Sequence, residues 1–89
     1  MKIKDGFVLR EIAGTWVVLP LAKKPADFNG MITLNESGFL LWKRLEQGAT
    51  REELIALLTE EYEVGEEIAS ADVDKFLLGI GKSGCIEMQ

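Results

Sequence analysis

Gly30-Met31-Ile32-Thr33-Leu34-Asn35-Glu36-Ser37-Gly38 is the stretch whose reading decides the fold of this 89-residue chain. Residues 31–34 are apolar or β-branched and suit a short strand. Asn35 follows at once, and its side-chain oxygen can accept from the free N–H groups that open a helix. Gly38, Leu41, Trp42 and Leu45 then fall at i, i+3, i+4 and i+7, which is one buried helix face. The strand runs into the helix with almost no loop, and a junction this tight fixes the two elements against each other.

Upstream, residues 7–12 and 15–19 read as two strands joined through Ala13-Gly14. The second, Thr15-Trp16-Val17-Val18-Leu19, is the clearest strand signal in the chain. Pro20 cannot donate to a ladder, so it ends that strand or sits on its edge. Residues 21–29 read as a loop. Downstream, Gly48 stops the first helix, and Thr50-Arg51-Glu52-Glu53 is a capping box that starts a second. Leu54, Leu57, Leu58 and Tyr62 fall on one side of it, and Val64-Gly65 breaks it. A third helix starts near Glu66 with Ala69, Val73, Leu77 and Ile80 as its apolar stripe and Phe76 beside it. Gly79 and Gly81 each cost about 1 kcal/mol of helix stability relative to alanine. They leave two ends open for this helix, before Gly79 or at Lys82. Residues 85–87 add a few extended positions. Three N-terminal strands followed by three helices predict a single α+β domain over residues 1–89 with a winged-helix-like layout.

Composition narrows the function. The net charge is −5, with no histidine and one cysteine. Nucleic-acid affinity comes mostly from Lys and Arg on phosphates, so an acidic domain is a poor candidate. A winged-helix DNA-binding or transcription-regulatory domain is nevertheless the alternative this layout suggests. Against it, the third helix offers Glu66, Glu67, Asp72 and Asp74 beside Lys75 and Lys82, whereas a recognition helix needs Arg, Lys, Asn or Gln toward the bases. Lack of histidine removes the commonest general base and metal ligand. Neither a nucleophile–base pair nor a phosphate-cradling loop is recognisable, so the chain is not expected to be an enzyme, and no cofactor is implied. Cys85 reads as a small core residue, and Trp16 and Trp42 as core aromatics. No apolar run approaches the roughly 18–20 residues that span a bilayer, and the start of the chain lacks a signal-peptide pattern, so a cytoplasmic protein without a membrane partner is expected.

Leu34-Asn35-Glu36-Ser37-Gly38 with Trp42 resembles the strand-to-helix motif of the PqqD family. Residues 50–62 resemble that family's second helix. Asp72-Val73-Asp74-Lys75-Phe76-Leu77 and Gly84-Cys85-Ile86 resemble its third helix and closing segment. The resemblance covers roughly residues 7–86. It implies a peptide chaperone, also called a precursor-peptide recognition element, of the kind that serves PQQ biosynthesis and related pathways. Such a protein binds the leader segment of a ribosomally made peptide and presents it to a modifying enzyme, commonly a radical S-adenosylmethionine enzyme. The leader adds as a strand beside the third strand and lies against the third helix. Carried onto this chain, one wall of the site is Met31, Ile32, Thr33 and Leu34; the other carries Asp72, Lys75, Phe76 and Gly79. The long side chains more usual at the end of the third helix are here replaced by Gly79 and Gly81.

Each of these readings has a plainer counterpart. Residues 31–34 equally suit a covered internal strand, or an open edge that pairs with a second copy of the chain as a homodimer. Asp72, Phe76 and Gly79 share a face at i, i+4 and i+7. On that face Phe76 also reads as plain core, and Asp72 and Lys75 as solvated surface. Glu52, Glu53, Glu60, Glu61, Glu63, Glu66 and Glu67 form an acidic region that reads first as solvated and second as a dock for a basic partner.

Overall fold

The computed structural model describes residues 1–20, 32–82 and 84–87. Among these residues eight elements follow one another: β1 (Lys2–Ile3), β2 (Phe7–Ile12), β3 (Thr15–Pro20), β4 (Ile32–Leu34), α1 (Glu36–Glu46), α2 (Arg51–Tyr62), α3 (Glu66–Lys82) and β5 (Ile86–Glu87). The α+β arrangement of three antiparallel strands and three helices is the one the sequence predicts. β2, β3 and β4 form that sheet in the order β2-β3-β4. The hairpin runs in register from Phe7↔Pro20 to Ile12↔Thr15. Its two-residue turn puts Ala13 at φ 52° and Gly14 at φ 81°, the pair of positive angles that matches the twist of a tight hairpin. Pro20 is the last residue of β3, beyond the reach of β4, which pairs through Trp16↔Leu34, Val17↔Thr33 and Val18↔Ile32.

The junction into α1 is built as its sequence suggests. Asn35 Oδ1 accepts from the Gly38 N–H at 2.8 Å and from the Ser37 hydroxyl at 3.1 Å. A side chain at position 38 would crowd this cap: a Cβ there would lie 3.1 Å from Asn35 Oδ1 and 3.4 Å from the Leu34 Cβ. Glycine thus lets the first turn of α1 close down on β4. At the other end Gly48, at φ 94°, reverses the chain. The Arg44 guanidinium donates to the Gly48 carbonyl, holding the short link to α2. There the capping box is complete, with Glu53 N–H on Thr50 Oγ1 at 3.1 Å and Thr50 N–H on Glu53 Oε1 at 2.8 Å. That backbone bond, with help from Arg44, holds the Glu53 carboxyl below its usual pKa.

α3 runs unbroken to Lys82 through both glycines. Arg51 clamps it to the start of α2. Its guanidinium donates to Asp74 Oδ1 at 2.7 Å and Oδ2 at 3.0 Å, and to the Ser70 hydroxyl at 2.7 Å. The hydrogen bond from Arg51 holds the Asp74 carboxyl below its ordinary value of 3.8.

The core lies between the sheet and the helices. Trp42 is fully buried at its centre, among Leu41, Leu45, Leu54, Leu58 and Val73. Its indole N–H donates to Glu46 one turn along, at 3.2 Å. Cys85 is buried in the same cluster, as read from the sequence. Three details depart from the sequence reading. Trp16 is only half-buried and stacks on Phe39 of α1, with ring centroids 4.2 Å apart and 21° between planes. Ile55 is buried on α2 where the periodicity predicts Leu57, and Leu57, like Leu77 in the stripe predicted for α3, is only partly covered. The chain also begins in a strand: β1 pairs with β5 through Lys2↔Glu87 and Ile3↔Ile86. The Lys4 N–H on the Cys85 carbonyl at 2.8 Å extends that pairing. A two-residue strand carries no periodicity of its own, so its partner alone defines it.

Two stability outcomes are expected. Asn35→Ala removes the cap and lowers unfolding free energy by about 1 kcal/mol, read as a reduced urea midpoint with unchanged slope. Asp74→Asn destabilises the protein at pH 7. Because the folded carboxyl titrates below its unfolded value, the pair's contribution is present above pH 3.8 and lost as pH falls through the lower folded value. The two proteins' thermal midpoints should therefore converge in strong acid.

Candidate functional site

Sheet order places β3 on one side of β4. Among the described residues, no strand pairs with its other side. Backbone N–H and C=O groups on such an edge are free to pair with another chain. This edge does not face open solvent. It borders a groove of about 500 Å³, whose opposite wall is α3.

Ile32, Thr33 and Leu34 line the groove on the β4 side, and Asp72, Lys75, Phe76 and Gly79 on the α3 side. All seven residues were singled out in the sequence, and the fold brings them to one place. Met31 lies outside the described residues. The i, i+4, i+7 spacing sets Asp72, Phe76 and Gly79 along one face of α3, next to the buried stripe of Ala69, Val73 and Ile80. Phe76 is half-buried, so its ring belongs partly to the core and partly to the groove wall. Asp72 and Lys75 are exposed, and neither has a hydrogen-bond or ion-pair partner among the described residues. At Gly79 an added Cβ would meet nothing within 4 Å. The groove is therefore open at that point, and an extended backbone could come close to the helix.

Sequence reading missed the floor and the end of the groove. Leu41 and Ile80 are 1% and 2% exposed and form its apolar base. Asn35, Ser37 and Gly38 close the end where β4 turns into α1. The cap motif carried that signal, but a cap is needed for folding whether or not the same residues border a ligand. Among the described residues, no cluster of His, Cys, Asp and Glu could hold a metal. No helix among them is long and apolar enough to cross a membrane.

The arrangement offers backbone pairing along β4, an apolar floor, and on its α3 wall the charges of Asp72 and Lys75, which have no partner among the described residues. It suits an extended peptide better than a compact small molecule.

Known proteins share this architecture. A structure of TbiB1 in complex with the TbiA(beta) leader peptide matches with a TM-score of 0.78 and 27% sequence identity, covering 100% of this chain and 98% of that one. Lasso peptide synthetase B1, complexed with the leader peptide, shares the fold with a TM-score of 0.73 at 20% identity, over 94% of this chain and 93% of that one. No curated protein matches the sequence. The family model for coenzyme PQQ synthesis protein D matches residues 15–86, and with most of its length so matched, the chain belongs to the PqqD family.

Proposed function

We propose that this protein is a non-catalytic peptide chaperone. It takes the leader segment of a ribosomally synthesised precursor peptide as an extra strand on the free edge of β4. It then presents that peptide to a modifying enzyme in the cytoplasm, most simply a radical S-adenosylmethionine enzyme. The observation that carries this reading is a strand edge with no partner among the described residues set across one groove from a helix wall.

Each residue has a task in that scheme. Met31, Ile32, Thr33 and Leu34 supply main-chain donors and acceptors. Phe76 gives an apolar contact, and Gly79 leaves room for the incoming backbone. Asp72 and Lys75 read charged side chains on the peptide. Magnitudes show why the side chains are needed. A net hydrogen bond contributes about 0.5–1.5 kcal/mol, so a ladder this short supplies only about 2–5 kcal/mol. Micromolar binding needs about 8 kcal/mol. The remainder must come from apolar burial and side-chain recognition in the groove.

The leader segment of the precursor peptide that this protein serves is the natural probe. On its addition to the isotope-labelled protein, the amide signals of Ile32, Thr33 and Leu34 should shift together with those of α3. Shifts confined to the acidic face of α2 would contradict strand addition. Gly79→Leu fills the groove while removing a helix-weakening glycine worth about 1 kcal/mol. Leader affinity should fall by about tenfold or more, equivalent to about 1.4 kcal/mol, with the urea midpoint unchanged or raised. Unchanged affinity would remove α3 as a wall of the site.

A further inference from the structure

A second cavity, of about 320 Å³, opens beside the groove. Asn35, Ser37 and Asp72 line both spaces, so the cavity continues the groove past Leu34 and over the start of α1. Leu58, Tyr62 and Val64 add an apolar side, and Glu36 adds a second carboxylate to that of Asp72. Among the residues that line it, none is basic.

Tyr62 is the unusual member. Its hydroxyl oxygen is buried and has no hydrogen-bond partner among the described residues. Buried polar atoms without partners are uncommon in folded proteins. Burial holds the phenol above its usual pKa, and the nearby Glu36 and Glu61 carboxylates push the same way. The Glu36 carboxylate thus stands close enough to bias the hydroxyl by charge and by a hydrogen-bond-like approach, short of a well-formed hydrogen bond. The phenol stays neutral at pH 7, with an oxygen able to accept a hydrogen bond.

We propose that this cavity is a side-chain subsite selecting a basic residue, lysine or arginine, of the bound peptide just beyond its pairing with β4. The methylene stem would lie against Leu58, Val64 and the Tyr62 ring. Its cationic head would meet Glu36 and Asp72, with the Tyr62 oxygen as a further acceptor. Long basic side chains bury their stems on apolar surface while keeping the charge near polar groups. The start of α1 argues the other way, since a helix N-terminus carries roughly half a positive charge. Two full carboxylates outweigh it, and one of them, Glu36, belongs to that first turn. Lys75 lines the neighbouring groove and not this cavity. An acidic side chain would face both carboxylates, and an aliphatic one would leave them without a partner.

The subsite deepens the strand-addition reading, and its test separates the two. The N-acetyl, N′-methylamide derivatives of lysine, norleucine and glutamate are titrated into the labelled protein. The lysine derivative should shift the amides of Ser37, Tyr62 and Val64 and bind at least about threefold more tightly than the other two, as expected for exposed charge pairs of modest strength. Glu36→Gln combined with Asp72→Asn should abolish that preference, while spectra show the fold retained. Equal response to norleucine, or a lysine preference that survives the double substitution, would overturn the subsite. In parallel, the extended peptide acetyl-Lys-Thr-Val-Thr-Val-amide, whose lysine lies past Leu34 when the peptide continues the antiparallel sheet on β4, and its norleucine counterpart are compared. Shifts along β4 from both peptides without a lysine preference would overturn the subsite and leave strand addition standing. A lysine response in the cavity with no β4 shifts from either peptide would support the subsite and count against strand addition.

Discussion

The bond from the Gly38 N–H to Asn35 Oδ1 is the constraint on which the rest of the structure depends. It leaves only Asn35 between the end of β4 and the start of α1, which ties the two elements together. α1 carries Trp42, the centre of the core, and the same helix reaches α2 through Arg44 and its contacts with Gly48 and Glu53. α2 holds α3 through the fork of Arg51 on Asp74. A continuous chain of contacts thus runs from the edge strand to the helix that faces it, and sets the width of the groove between them.

An open strand edge is normally a hazard because any chain can pair with it. Here the described part of the edge is three residues long, one of them the exposed polar Thr33, and it lies beside a helix wall carrying Asp72 and Lys75, which are unpaired among the described residues. A partner strand must fit between β4 and α3, which restricts indiscriminate pairing. The groove that limits access is the same feature that allows selection. On this account backbone pairing gives a modest, sequence-independent attraction, and the lining side chains decide which peptide stays.

Much of this was legible in the sequence because the decisive signals are local. The Asn35 cap, the Thr50 and Glu53 box, the turn at Ala13-Gly14 and the helical stripes each occupy a few consecutive residues. The α3 face was legible too, since a spacing of four and then three residues defines a side of a helix. That this face meets β4 is a tertiary fact, which the family resemblance supplied and periodicity did not. β1 was missed because a two-residue strand is defined only by β5 at the far end of the chain. Trp16 was misplaced because residue type predicts burial, while its position near the hairpin end of the middle strand, stacked on Phe39, leaves it half-covered. The Tyr62 cavity was out of reach, since it takes residues from α1, α2 and α3 together with the turns before α1 and α3. The extent of α3 was undecidable from propensity, because packing of Ile80 into the core, with the Cys85 N–H on its carbonyl at 3.3 Å, offsets two glycines.

The central claim is that another chain's backbone pairs with β4. Its most direct measurement is an isotope-filtered nuclear Overhauser experiment on the labelled protein with an unlabelled leader peptide. The account predicts backbone-to-backbone contacts between the peptide and Ile32, Thr33 and Leu34, in a pattern continuing the sheet. Peptide contacts found only on the acidic surface of α2, with none to the β4 backbone, would contradict it.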